Sequence, residues 1–130
     1  MRWVAACSRQ SDPRLAVAEV STALEEALEP GRPVDLALAF LSAPHVPQAA
    51  MLAGALRERL APSCLAAASA HGVVGGGHEI ESGPALSVIA AQLPGVTVSP
   101  FLLMRQEWTP EEGIPFDSIA PGRAAPSWCC

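Results

Sequence analysis

Three serines close apolar, strand-like runs of the sequence, and two histidines follow shortly after two of them. The serines are Ser8, Ser42 and Ser69, and the histidines are His45 and His71. Open α/β sheets bind ligands beyond the carboxyl ends of parallel strands. If the three runs are parallel neighbours, these side chains line one rim and form a polar site for a small ligand. The alternative is that each serine only hydrogen-bonds to nearby backbone, as serine at a strand end often does.

A serine close to a histidine also permits a hydrolase, in which the histidine activates the hydroxyl group. The two such pairs are Ser42 with His45 and Ser69 with His71. The nucleophile elbow of α/β hydrolases requires Gly-x-Ser-x-Gly, and neither serine lies in that motif. A catalytic triad is defined by geometry, so the hydrolase stays as the less favoured alternative. We predict no catalytic residues.

The stretch from His71 to Glu79 contains three consecutive glycines, Gly75, Gly76 and Gly77. Consecutive glycines allow positive φ angles in a turn and allow the backbone to approach a ligand closely. The stretch matches neither the dinucleotide fingerprint nor the P-loop, and the chain has no lysine. A nucleotide-phosphate site is therefore disfavoured. The three glycines and Glu79 remain candidates for contacting another small ligand, with a simple turn as the alternative.

Metal and disulfide chemistry find little support in the sequence. The histidines and glutamates around the glycines match no zinc-ligand spacing. The four cysteines lack the Cys-x-x-Cys spacing of zinc ribbons and redox sites. They are Cys7, Cys64, Cys129 and Cys130. We predict no metal site, no cofactor and no functional disulfide.

The elements that must position these residues follow from the hydrophobic pattern. One amphipathic helix is predicted from Pro13, with Asp12 as its cap, to just before Pro30, and a second over residues 47–61. Strands are predicted over residues 2–7, 34–41, 64–69, 84–92 and 96–103, with a short extended piece at 78–81. The order predicts an α/β fold with a mixed β-sheet, in which two βαβ-type units are followed by a β-hairpin around Pro94 and Gly95.

Composition and charge exclude several classes of partner. The net charge is −5 at pH 7 and the eight cationic residues are dispersed arginines, whereas nucleic acids and anionic membrane surfaces attract clustered positive charge. No segment reaches the ~18 apolar residues that span a bilayer. The apolar run after Arg2 is too short for a signal peptide. We therefore expect a cytoplasmic protein without nucleic-acid or membrane partners.

Five blocks of the sequence resemble the N-terminal part of FIST domains, which are named for F-box and intracellular signal-transduction proteins. In order, the blocks are residues 3–8, 34–42, 66–81, 83–88 and 93–96. The third block corresponds to a family segment of the type Gly-Cys-Ser/Thr-Ala-Glu-Gly-Val-Ile-Gly that ends in glutamate. Ala66 and Ala67 stand where Gly-Cys is usual, and His71 stands where glutamate is common. The ligand specificity is therefore expected to differ.

The resemblance implies a cytoplasmic sensory module over residues 1–108 that binds small ligands, such as amino acids or their derivatives, without catalysis. It also implies signalling proteins as partners, or F-box-type partners if the chain is a ubiquitin-ligase adaptor fragment. Since the family pattern normally continues further, we expect an incomplete domain with an irregular Pro/Gly-rich tail at 109–130. The expected ligand contacts are Ser8, Ser42, His45, Ser69, His71, Gly75, Gly76, Gly77 and Glu79.

Overall fold

A computed structural model describes residues 1–100 of the chain. The predicted tail at 109–130, and residues 101–103 of the last predicted strand, lie outside the described residues. In chain order the elements are β1 Arg2–Ser8, α1 Pro13–Ala27, β2 Leu36–Leu41, a 3₁₀ helix at Ala43–Gln48, α2 Ala49–Leu60, β3 Cys64–Ser69, β4 Val73–Gly75, β5 His78–Ile80 and β6 Leu86–Gln92.

Four of the strands form a mixed sheet in the order β1-β6-β2-β3. β6 runs antiparallel to both β1 and β2, and β2 and β3 are parallel. β1, β2 and β3 therefore share one direction. α1 connects β1 to β2, and α2 connects β2 to β3. The predicted α/β class, mixed sheet and two βαβ-type units are confirmed, although β6 separates the two strands of the first unit.

The hairpin lies elsewhere than the sequence predicted. Residues 84–92 do not turn back on residues 96–100, which form no strand; instead β6 pairs along its length with β1 and β2. The reason is that β6 is buried on both faces, as suits a central strand. The hairpin that follows the two βαβ-type units consists of β4 and β5. Its two-residue turn is Gly76 and Gly77, whose φ angles of +57° and +78° suit glycine.

Helix α1 begins as its sequence predicts. The Asp12 carboxylate accepts a hydrogen bond from the Arg14 backbone N–H at 2.8 Å, and Pro13 occupies the first turn, where no backbone donor is needed. The apolar stripe predicted for this helix is largely buried. Its buried members are Val17, Val20 and Leu24.

Helix α2 begins at Ala49 rather than at residue 47, because the two prolines of the preceding segment favour a short 3₁₀ helix. Its buried side chains are Leu52, Leu56 and Leu60. The buried residues of both helices join one cluster with alternate residues of the sheet, so both helices cover the same face. Within residues 1–100, no helix combines the length and apolar character that crossing a membrane requires.

Gln92, at the end of β6, braces the connection between α1 and β2. Its amide oxygen accepts a hydrogen bond from the Glu29 N–H at 2.9 Å, and its amide nitrogen donates to the carbonyls of Glu29 and Arg32, both at 3.0 Å. The Gln92 side chain is buried. This amide therefore ties both sides of the turn after α1 to the end of β6, and so helps to fix where the chain enters β2.

We predict that Gln92→Leu lowers the free energy of unfolding by about 1–3 kcal/mol, because a side chain of similar volume leaves partly buried backbone groups without partners. Urea denaturation measures the loss. The matched control is Gln48→Leu, at an exposed position whose side chain makes no hydrogen bond within residues 1–100; it should stay within about 0.5 kcal/mol of the native protein. Equal effects of the two substitutions would contradict the bracing role.

Candidate functional site

A pocket lies where the carboxyl end of β1 meets α1 and the β4–β5 hairpin. We refer to it as the β1 pocket, and its volume of about 430 Å³ suits a small metabolite. Five of its seven lining residues have polar or charged side chains. The lining residues are Cys7, Arg9, Gln10, Glu19, His78, Glu79 and Ile80.

One wall of the β1 pocket exists because the β4–β5 hairpin is fastened onto the sheet. The Ser87 hydroxyl, on the central strand β6, donates to the Val74 carbonyl at 2.7 Å. The Cys7 thiol, on β1, donates to the Gly75 carbonyl at 3.2 Å. Val73 on β4 and Ile80 on β5 are the buried side chains of the hairpin, and they pack in a second small apolar cluster. These contacts hold His78 and Glu79 beside the end of β1.

Gly75 allows this close approach. A Cβ atom at this position would lie 2.6 Å from the Ser87 hydroxyl oxygen and 3.1 Å from the Ala6 carbonyl oxygen, both shorter than ordinary contacts. Gly76 lies beside β1 as well, next to the Ala5 carbonyl. The predicted glycines therefore shape and seat the hairpin, and the side chains beyond them face the pocket.

We predict that Gly75→Ala loosens the hairpin, because the added methyl group collides with Ser87 and with the β1 backbone. Hydrogen exchange of the amides in residues 73–80 should become at least tenfold faster. The control is Gly54→Ala, since a Cβ at this exposed helical position meets nothing within 4 Å; it should stabilise α2 by about 0.5–1 kcal/mol. Unchanged exchange in the Gly75→Ala protein would show that the hairpin does not depend on this contact.

Ser8 positions a carboxylate at the opposite wall of the β1 pocket. Its hydroxyl donates to Glu19 on α1 at 2.6 Å and accepts from the Gln10 N–H at 3.1 Å. Only 2% of Ser8 is exposed. Its hydroxyl is thus committed to protein partners, and Glu19 is the group that it presents to the pocket.

Burial raises the pKa of the Cys7 thiol, and the nearby Glu19 carboxylate raises it further, while the Arg9 guanidinium acts in the opposite direction. The thiol therefore stays protonated at neutral pH, which agrees with its role as a donor to Gly75. Since the folded-state pKa lies above that of the unfolded chain, the protonated thiol favours the native state below the ordinary thiol pKa. That contribution is lost as the pH rises through the folded-state pKa.

We predict that Cys7 in the native protein reacts with iodoacetamide more slowly at pH 8 than the same thiol in the urea-unfolded chain, because the thiolate is the nucleophile. Glu19→Gln should increase the native rate several-fold, since it removes one cause of the raised pKa. Mass spectrometry of the Cys7 peptide measures both rates. Glu26→Gln, on the same helix but away from the thiol, is the control; a rate increase equal to that of Glu19→Gln would refute the electrostatic explanation.

Ser42 and His45, predicted as ligand contacts after β2, are both buried. The Ser42 hydroxyl accepts from the Ala85 N–H at 2.7 Å. The His45 ring nitrogen Nε2 lies 3.1 Å from the Gln10 carbonyl oxygen, and His45 is 1% exposed. These two side chains connect the loop after β2 to the segments before β6 and after β1. His45 thus contacts Gln10, which lines the β1 pocket, without lining the pocket itself.

Ser69 and His71, predicted after β3, are exposed and lie away from the β1 pocket. Ser69 shares a register row with Ser8, but β6 and β2 lie between the two strands, so about 14 Å separates their backbones. Because β1, β2 and β3 run in one direction, their carboxyl ends lie at one edge of the sheet. The insertion of β6 between β1 and β2 nevertheless divides the predicted polar rim. In residues 1–100, no hydrogen bond joins Ser69 to His71, or the Ser42 hydroxyl to the His45 ring.

Most of the residues that line the β1 pocket are not among the predicted ligand contacts. Arg9 and Gln10 directly follow Ser8, so the expectation that ligands bind beyond the carboxyl ends of strands applies to them as well as to Ser8. His78 enters the sequence predictions only as one of the histidines that match no zinc-ligand spacing. Glu19 carried no local signal, because its place depends on how α1 packs against β1. Of the predicted contacts, Glu79 is the one that lines the pocket.

No family model matches the chain. Two curated proteins of Mycobacterium tuberculosis are similar to it, one from strain CDC 1551 / Oshkosh and one from strain H37Rv, and each is described as uncharacterized. Each is 36% identical over 94 residues, which cover 72% of this chain and 24% of the relative. The chain thus spans about a quarter of the length of these relatives. No solved structure matches the chain.

Proposed function

We propose that this chain is a cytoplasmic, non-catalytic sensory domain of the FIST type, and that its ligand binds in the β1 pocket. The observation that carries the proposal is the meeting of one arginine and two glutamates around a cavity of metabolite size. These residues are Arg9, Glu19 and Glu79. The carboxyl edge of a strand in an α/β sheet is also where ligands of such folds commonly bind.

The charges around the pocket favour a ligand that carries both an anionic and a cationic group. Among residues 1–100, neither the Arg9 nor the Glu79 side chain has an ion pair or hydrogen bond, so both are available to a ligand. A guanidinium group pairs with a carboxylate through two parallel hydrogen bonds. Glu79 and the Ser8-bound Glu19 suit an ammonium group. An amino acid or an amino-acid derivative meets both requirements.

Binding without catalysis agrees with the state of the thiol in the pocket. The nucleophile among the lining residues is Cys7, and nucleophilic cysteines act as thiolates with lowered pKa values. Here the pKa is raised, and the thiol donates to the Gly75 carbonyl. A protonated thiol in this position serves as part of the wall, together with Ile80.

The proposal predicts that a small zwitterion raises the melting temperature of the protein, because a ligand that binds only the native state stabilises it. A panel of amino acids tests this by differential scanning fluorimetry. Each compound is compared with the amine that lacks its carboxylate and with the acid that lacks its amine. We expect a shift only with the compound that carries both groups.

Two variants assign the shift to the β1 pocket. Arg9→Gln and Glu79→Gln should each weaken binding about tenfold or more, because each removes one charge-assisted hydrogen-bonding partner. Arg14→Gln, at an exposed position outside the pocket lining, should bind as the native protein does. No shift with any zwitterion, in protein that unfolds cooperatively, would refute the proposal. Binding that survives both pocket substitutions would place the ligand elsewhere.

A further inference from the structure

Within residues 1–100, the outer edge of β3 is an uncovered edge of the four-stranded sheet. β3 lies last in the strand order, and no described strand pairs with its far side. Four consecutive residues of this strand, Ala66, Ala67, Ala68 and Ser69, are exposed. Ala67 belongs to the sheet face that the helices cover, so its exposure shows that α2 does not overhang the edge.

The backbone of β3 offers hydrogen-bonding groups along this edge. The Cys64 N–H donates to the Asp35 carbonyl, and the Ala70 N–H donates to the Leu41 carbonyl, so the even-numbered residues face β2. The odd-numbered residues of the strand therefore direct their N–H and C=O groups outward. These residues are Leu65, Ala67 and Ser69.

Sheet edges in natural proteins are usually protected by charge, proline, bulges or a covering segment. The other edge of this sheet, β1, has Arg2 at its start and Arg9 just past its end, and the β4–β5 hairpin packs against it. By contrast, β3 reads Cys-Leu-Ala-Ala-Ala-Ser and contains no charge and no proline. The edge of β3 therefore lacks the features that keep a sheet edge from pairing with another strand.

We propose that β3 pairs with β3 of a second copy of this chain, antiparallel, so that two four-stranded sheets become one continuous sheet. A two-fold axis at Ala67 places this residue opposite its equivalent and places Leu65 opposite Ser69 of the other copy. Every outward donor then faces an outward acceptor. The uncharged strand meets its own copy without like-charge repulsion.

The side chains of β3 favour a second copy over an unrelated peptide. Strand addition gains its specificity from pockets that receive alternate side chains of the added strand. Alanines provide no such pockets. The two-fold arrangement needs none, because the outward backbone groups of β3 match those of an identical strand. Because the side chains are small, the buried area is modest, and we expect a weak, concentration-dependent dimer. The β1 pocket lies at the opposite edge of the sheet and stays open.

Analytical ultracentrifugation of the full chain, in reducing buffer over a wide concentration range, tests this proposal. The native protein should pass from monomer to dimer. Ala67→Pro removes one outward N–H, and proline is tolerated in edge strands, so its dimer should be at least tenfold weaker. Ala67→Lys keeps the backbone donor but places like charges together at the two-fold axis, and should weaken the dimer similarly at low salt.

Ala67→Thr is the matched control, because it keeps the donor, adds no charge and favours strand structure; it should dimerise like the native protein. Circular dichroism verifies that each variant is folded. A native protein that stays monomeric throughout overturns the proposal. So does a dimer that neither Ala67→Pro nor Ala67→Lys weakens, since that dimer uses another surface. Ligand binding is measured separately at the β1 pocket, so failure there leaves this result unaffected.

Discussion

The insertion of β6 between β1 and β2 is the constraint on which the rest of this structure depends. A strand that is apolar on both faces and bonded on both edges belongs at the centre of a sheet. Once β6 takes that place, its two ends become anchors: Ser87 near its start holds the β4–β5 hairpin, and Gln92 at its end holds the turn after α1. β3 is left as an outer strand. The pocket and the brace thus share one cause, and no described strand is left to pair with the outer side of β3.

The same insertion explains why the predicted polar rim is divided. β1, β2 and β3 run in one direction, so their carboxyl ends do lie along one edge of the sheet. With β6 between them, however, the loop after β2 reaches the loop after β1 through the contact of His45 with Gln10. The hairpin then packs against the β1 end. The β1 pocket forms there, while Ser69 remains apart at the β3 end.

Local sequence signals predicted the helices and most strands, but they did not predict which strands pair with each other. The start of α1 is specified locally, by its cap Asp12 and the proline that follows it. The apolar run 64–69 likewise coincides with β3. The partner of β6 carries no comparable signal, because its apolar residues fit any buried position and the following Pro94 and Gly95 favour a local turn. For the site, the strand-end rule points to the edge of the sheet at which the β1 pocket lies. It could not select Glu19, which reaches the pocket from a helix packed across the sheet.

The polar residues near the strand ends form two groups, one buried and one exposed, and this difference indicates which of them can bind a ligand. Ser8, Ser42 and His45 are buried, and each has a protein partner for its polar group. A buried group that lost its partner to a ligand would incur a desolvation cost, so such residues fix loops. Arg9 and Glu79 are exposed, charged and unpaired within residues 1–100. A ligand can engage them without breaking an existing contact, which is why the proposed recognition rests on these two side chains and on the carboxylate that Ser8 holds in place.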